Sequence, residues 1–391
     1  MIVTLAATPL LSRVYEPSEF GVFATVLATA SVGVGFSSQR MEVLAQGESR
    51  NFRRVAMLRI ALYLATVFSL VVTLVAGLLV AFGLAEPIWI MVGLIIWAAS
   101  LAPIGTAALV IRQRYRVLAI RNFSHQSSTA VFQTVLGFFG LGPLGLASGF
   151  VLGRLTWLRS VGTTLRGESD LIRPVWRESR RPAVYAGSSA LVNSASGQLL
   201  PILVMALFGP AVSGIVAMAL RTSVTPLNVV GQAVASAAAG EVGAAIRAGD
   251  NGRARKIIKQ GMRDQALIGI VPCAIAAAIA PAIAAPILGA EWGKVGIAIS
   301  ILAVGGYFQF VAAPFSQVLN ISGNNRSLLY WDLSRLVIFV GAIVVPALSG
   351  FDWTVSLGAY STAQVPIYIA MIILIFSSVA GPSRQVNLHS P

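Results

Sequence analysis

The stretch RVYEPSEFGVFA, Arg13–Ala24, returns as ALFGPAVSGIVA, Ala206–Ala217. The two copies share an aromatic residue (Tyr15, Phe208), a proline (Pro17, Pro210), a glycine (Gly21, Gly214) and a final alanine (Ala24, Ala217). The spacing from residue 13 to residue 206 is close to half of the 391-residue chain, as expected of one structural unit used twice.

Around these copies the chain is 56% hydrophobic and 11% charged, with a mean hydropathy of +0.81. Soluble domains are about 25% charged, so this composition indicates a membrane protein. Uncharged runs such as Ile60–Ala85, Pro87–Ile111 and Pro182–Leu220 exceed the roughly 18 residues that suggest a spanning helix. Barrel strands alternate polar and apolar residues in short segments, so these runs predict helices.

The formal charge of +14 would suggest a nucleic-acid partner in a soluble protein, but its distribution gives a different reading. Of the 28 basic residues, 25 fall in the bursts Arg40–Arg59, Arg112–Arg121, Arg154–Arg181, Arg247–Arg263, Arg326 with Arg335, and Arg384. Between bursts lie apolar stretches, most of them long enough for two crossings. Near their middles sit the breakers GLAEP (83–87), GLGPLG (140–145), GPAVSG (209–214), GAEWGK (289–294) and LSGFDW (348–353). Each stretch is therefore a helical hairpin. Cytoplasmic loops collect Lys and Arg, which predicts cytoplasmic bursts, outward-facing glycine turns and both termini inside.

The spans expected are 1–14, 20–43, 57–82, 87–110, 119–139, 142–162, 184–208, 211–238, 265–289, 295–320, 328–348 and 354–378. The predicted fold is thus an all-α polytopic membrane protein of about twelve transmembrane helices in two pseudo-symmetric six-helix bundles around a central cavity. Equivalent turns on one side of the membrane make the repeat parallel, about an axis along the membrane normal. The expected parts are an N-terminal lobe at 1–162, a basic linker at 163–182, a C-terminal lobe at 183–380 and a cytoplasmic tail at 381–391. Twelve residues before Arg13 rise only ~18 Å against a hydrocarbon core of ~30 Å, so the first helix is expected to lack an N-terminal segment.

Polar residues inside spans usually face a bundle interior or a wet cavity. Arg221, Thr225, Asn228 and Gln232 recur at i, i+4, i+7 and i+11 in the eighth helix, along one face. The fifth helix carries Asn122, Gln126, Thr129 and Gln133, and the tenth Gln309, Ser316 and Asn320. The seventh has Ser189, Asn193 and Ser196, with Gln198 off that line. Hydrogen bonding between helices is the alternative role for such stripes, at about 1 kcal/mol per contact. Arg221 stands out because it lies ~15 Å along the helix axis from its outer turn. A guanidinium at that depth calls for water or an anion, and no carboxylate is expected within the spans.

Simpler readings cover the other charged groups. Arg154 and Arg159 are expected to snorkel to the cytoplasmic headgroups. Arg13 is expected to pair with Glu16 or Glu19, Arg40 with Glu42 to form either an interfacial ion pair or a gate at the inner surface, and His125 to be a satisfied interior histidine rather than a proton relay. No metal cluster, Walker-type glycine loop or pair of glycosidase carboxylates stands out in the sequence, and neither a cofactor nor a metal is expected. The single Cys273 sits in an apolar run as a buried small residue.

The segment LLSRVYEPSEFGVFATVLATASVGVGFSSQRMEVLA, ending in the Arg-x-Glu-x-x-Ala of Arg40, Glu42 and Ala45, resembles the first outer turn and second helix of Wzx-type oligosaccharide flippases. YAGSSALVNSASGQLLPILVMALFGPAVSGIVAMALRTSVTPLNVVGQAV is similar to that family's seventh and eighth helices, with Arg221 at its basic position. LGAEWGKVGIAISILAVGGYFQFVAAPFSQVLNISGNNR is similar to its ninth turn and tenth helix. Arg154 departs from the family pattern.

The resemblance implies the fold of the multidrug/oligosaccharidyl-lipid/polysaccharide exporter superfamily. It implies a flippase, not an enzyme, of the bacterial inner membrane that moves undecaprenyl-diphosphate-linked oligosaccharide for O-antigen or exopolysaccharide assembly by alternating access. Arg221 would hold the diphosphate, and Thr225, Asn228, Gln232, Gln126, Gln133, Asn193 and Gln198 would contact sugar or headgroup. The implied partners are that lipid-linked substrate, membrane lipids, and polysaccharide polymerase and chain-length proteins, with no nucleic acid. The rival readings are a multidrug or cation exporter of the same fold, which needs a carboxylate in its cavity, a membrane polysaccharide polymerase or transferase, which would need a large outer loop, and a non-transporting scaffold for a polysaccharide assembly complex.

Overall fold

The computed structural model describes residues 2–162, 172–322 and 325–380, and every regular element among them is helical. The helices are α1 (Ile2–Ala6), α2 (Thr8–Val14), α3 (Pro17–Ser37), α4 (Met41–Gly47), α5 (Asn51–Ala81), α6 (Met91–Ile111), α7 (Tyr115–Phe138), α8 (Gly142–Arg154) and α9 (Leu158–Gly162). They continue as α10 (Ile172–Ala219), α11 (Thr225–Arg247), α12 (Asn251–Leu288), α13 (Lys294–Ala312), α14 (Gln317–Ile321), α15 (Asn325–Leu348) and α16 (Trp353–Ala380). Among the described residues, eight helical runs are long and apolar enough to cross a membrane, the longest being 172–246, which is broken at Gly209 (φ 81°, ψ 179°). The protein is an all-α polytopic membrane protein. The linker 163–171 and the tail 381–391 lie outside the described residues.

The helices outrun the predicted spans at their basic ends. α5 starts at Asn51, not residue 57, and α12 at Asn251, not residue 265. At ~1.5 Å per residue these extra turns carry the arginine and lysine bursts clear of the apolar segment. Other helices are interrupted, some where prolines or left-handed residues fall. Gln39 and Arg40 adopt φ 51° and 55° between α3 and α4, and 3₁₀ turns occupy Pro87–Ile90, Leu155–Trp157 and Ala313–Ser316.

The chain divides into two compact units, Met1–Gly214 and Ile215–Pro391. In the first, α7 and α8 lie so close that a Cβ on Gly149 would stand 2.6 Å from Gln133 N, and one on Gly153 would stand 2.6 Å from Thr129 Cα. The Gln133 Nε2 amide donates to the Leu146 carbonyl at 3.0 Å, and the Tyr15 hydroxyl donates to Gln133 O at 2.7 Å. Burial, with Glu19 nearby, pushes the Tyr15 hydroxyl up to about 12, which keeps it a donor.

The repeated segments meet in this unit. A Cβ on Gly21 would collide with the Pro210 carbonyl oxygen and stand 2.7 Å from Gly214 N. Reciprocally, a Cβ on Gly214 would collide with Pro17 O and stand 3.1 Å from Gly21 N. Each copy therefore presents its glycine to the other copy's proline turn, and the Thr25 and Ser213 hydroxyls approach to 3.4 Å beside the contact. Close packing of backbone on backbone accounts for why the repeat keeps glycine at this place.

At the basic ends Arg53 bridges Glu48 (3.0 Å) and Glu178 (2.5 Å). The Arg50 N–H first, then the Arg53 guanidinium, hold the Glu48 carboxyl below its usual range. The apolar core of this unit gathers Met41, Met57, Ile60, Leu101, Ile104 and Trp157.

In the second unit α13 packs on α12 and α16. Phe310, Phe315, Trp331, Phe339, Tyr368 and Met371 form its core. A Cβ on Gly269 would stand 2.6 Å from the Phe310 ring. The buried Ser361 hydroxyl accepts from Gly305 N (3.0 Å) and donates to Ile301 O (2.6 Å), tying α16 to α13.

Candidate functional site

Arg221 does not sit in a regular α-helix. Leu220–Val224 forms a π turn between α10 and α11. Pro226 supplies the cause: it lacks the N–H that would bond to Thr222 O, and its ring crowds that carbonyl, so the chain widens by one residue. Side-chain hydroxyls bond back to carbonyls of the preceding turn. Thr222 donates to Met218 O (2.9 Å), Ser223 to Ala219 O (2.6 Å) and Thr225 to Leu220 O (3.1 Å). A cavity of about 190 Å³ opens beside the turn, lined in part by Thr222, Ser223, Leu227, Cys273 and Gly306.

The π turn corrects the straight stripe read from the sequence. One inserted residue rotates all later positions by about 100°, so Arg221 no longer lines up with positions 228 and 232. Thr225 and Gln232 are exposed, and the Asn228 side chain lies outside the described residues.

Gln126, Gln133, Asn193 and Gln198 belong to the first unit. Gln126 is half-buried, Asn193 is exposed and Gln198 is half-buried. Gln133 is buried and its amide donates to Leu146 O, so it fastens α7 to α8. The buried Ser196 of the same stripe as Asn193 donates to Val192 O within its own helix.

Several charged groups depart from their simpler readings. The Arg154 guanidinium lies 4.0 Å from the centre of the Phe150 ring, one turn toward the glycine-turn end. It therefore points away from the basic end to which snorkelling would take it. No ion pair joins Arg13 to Glu16 or Glu19 among the described residues. Glu19 instead accepts from Glu16 N at 3.0 Å, closing a capping box at the start of α3. Arg40 and Glu42 are likewise not paired among the described residues, and Glu42 is buried.

The expectation of no carboxylate within the spans is also overturned. Asp332 lies seven residues into α15 and pairs with Arg335 at 3.0 Å. The Arg335 guanidinium also lies 4.7 Å from the Trp331 ring centre, and Trp331 Nε1 donates to Ile367 O at 2.9 Å. The signal is present in the sequence as an acid and an arginine at i, i+3 inside an apolar helix. Gln265 is fully buried beside Gly231 and Phe310, and neither polar atom of its amide has a protein partner.

Structural likeness spans the whole chain. An inward-closed lipid II flippase MurJ is similar over 97% of this chain and 87% of its own, with TM-score 0.73 and 11% identity. An outward-facing multidrug resistance MATE family transporter of the MOP superfamily matches at TM-score 0.58 and 15% identity, over 98% of this chain and 89% of its own. The Vibrio cholerae MATE transporter VcmN in its bent form gives 0.58 and 14%, over 99% of each chain. These likenesses show the fold. No curated protein matches the chain by sequence. The model of the polysaccharide biosynthesis protein family matches residues 10–297, most of the chain, and the protein belongs to that family.

Proposed function

We propose that the protein is a flippase that moves an undecaprenyl-diphosphate-linked oligosaccharide across the bacterial inner membrane by alternating access. The single observation that carries this reading is Arg221, set in a π turn within a crossing of a chain that belongs to a polysaccharide biosynthesis family. A guanidinium fork matches the oxygens of a diphosphate, and π turns recur at functional sites. The exposed Gln232 and Asn193, with Thr225, Gln126, Gln198 and Asn228, supply hydroxyl and amide chemistry suited to sugars. Lobes at 1–162 and 183–380, joined by the basic segment 163–182, would carry the movement. The flippase named among the similar folds supports a lipid-linked substrate.

The test is deletion of the gene and then analysis of the membrane lipid pool. The expected result is loss of surface polysaccharide and accumulation of lipid-linked oligosaccharide accessible only from the cytoplasmic face. Accumulation on the outer face would point instead to a polymerase or transferase, and no accumulation with intact surface polysaccharide would overturn the reading.

The proposed topology places the basic ends and both termini in the cytoplasm. Leu84, 74% exposed in a glycine turn, and Ala248, exposed between α11 and α12, report on it. Cysteines introduced singly at these positions are expected to react with a membrane-impermeant maleimide from outside and inside respectively. The native Cys273 is buried and adds little background. Labelling of both from one side would overturn the assignment, and exchanged sides would reverse it.

A further inference from the structure

We propose that Arg154, Trp157 and His125, with Arg121, form a second anion site, one that takes a phosphate or diphosphate group. They gather where α8 ends in the 3₁₀ turn Leu155–Trp157 and faces α7. The His125 and Trp157 rings are 6.1 Å apart. Arg121 Nη1 donates to Thr156 O at 3.1 Å, which brings its guanidinium to the same turn.

Three buried atoms here have no hydrogen-bond partner among the described residues: Arg154 Nε, Arg121 Nε and Trp157 Nε1. All three can only donate. No acidic side chain pairs with Arg154 or Arg121 among the described residues. Leaving a buried donor unmatched costs about 1–3 kcal/mol, and more for a charged one. Water oxygens could accept the N–H groups, but the two guanidinium charges, with no acidic partner among the described residues, would still lack a counter-charge. A group with several anionic oxygens meets both needs, and the guanidinium plane suits phosphate geometry.

Packing holds the donors in place. The Trp157 side chain is fully buried, with its ring against Gly105, where a Cβ would stand 2.6 Å from Cε3. Arg154 is pinned over Phe150. This inference deepens the proposed function, because a second diphosphate-class site gives the headgroup a further station within the protein. It nevertheless stands or falls separately from the role of Arg221.

The experiment uses the full chain in phosphatidylcholine nanodiscs, in an Arg221→Ala background that removes the other proposed phosphate ligand. Inorganic pyrophosphate and farnesyl diphosphate are titrated in parallel, and binding is monitored by calorimetry and tryptophan fluorescence. The expected result is saturable binding that Arg154→Gln weakens at least tenfold and Arg154→Lys weakens less. Trp157→Phe keeps the ring while losing the N–H, so it should weaken binding several-fold and remove most of the fluorescence change. Tighter binding of farnesyl diphosphate identifies a lipid headgroup as the source, and equal binding identifies free phosphate. Wild-type-like binding in both Arg154→Gln and Trp157→Phe, or binding of neither probe, would overturn the site. Should Arg154→Gln fail to insert, Trp157→Phe decides alone. Export by Arg221→Ala in cells, measured separately, bears on the flippase reading and leaves this site untouched.

Discussion

Arg221→Ala is expected to abolish export of surface polysaccharide while leaving the protein in the membrane at wild-type abundance. A charge-assisted contact to a phosphate group is worth about 2 kcal/mol, so affinity for a polyprenyl diphosphate should fall about thirty-fold. Arg221→Lys keeps the charge but loses the planar fork and should recover only part of the activity. The measurement is surface polysaccharide in a deletion strain carrying each variant, normalised to membrane-inserted protein. Full export by Arg221→Ala would remove this residue from the substrate path.

The second large effect concerns stability. Gly21→Ala and Gly214→Ala each drive a methyl group into a carbonyl oxygen of the other repeat copy. Overpacking typically costs 1–3 kcal/mol, and a clash with backbone, which cannot rotate away as a side chain does, should lie near ~3 kcal/mol. Both variants should melt well below wild type in detergent, and both should lose export. Gly77→Ala is the control, since nothing lies within 4 Å of a Cβ there and α5 is helical throughout. Its melting temperature should be unchanged or slightly raised. Equal melting of all three variants would mean that the glycine contact does not hold the two turns together.

The helices are legible in the sequence because uncharged runs of 20 or more residues and regularly spaced basic bursts are strong signals that survive irregular packing. The glycine repeat is legible for the same reason, since it rests on residue identity and spacing. The details are lost where local chemistry overrides periodicity. Pro226 turns an expected α-helical stripe into a π turn, which a 3.6-residue template cannot anticipate. Proximity to Arg13 suggests an ion pair for Glu19, yet the open N–H groups at the start of α3 outcompete a surface arginine. Position alone sends Arg154 to the headgroups, whereas helical side chains lean toward the N-terminus and the ring of Phe150 lies there to receive it. Asp332 is hard to single out because Arg335, one turn away, lets the pair pass as part of a basic cluster.

The bulge at Leu220–Val224 also bears on how the duplicated halves should be laid over one another. It makes the second copy one position longer than the first, beginning only a few residues after the shared alanines at 24 and 217. A constant offset therefore goes out of phase soon after the motif ends, so the kinship fades from view there even if the ancestral match continues. Any alignment of the halves should carry a single gap at this place, and a relative without the proline is expected to have shed the additional residue and to run straight.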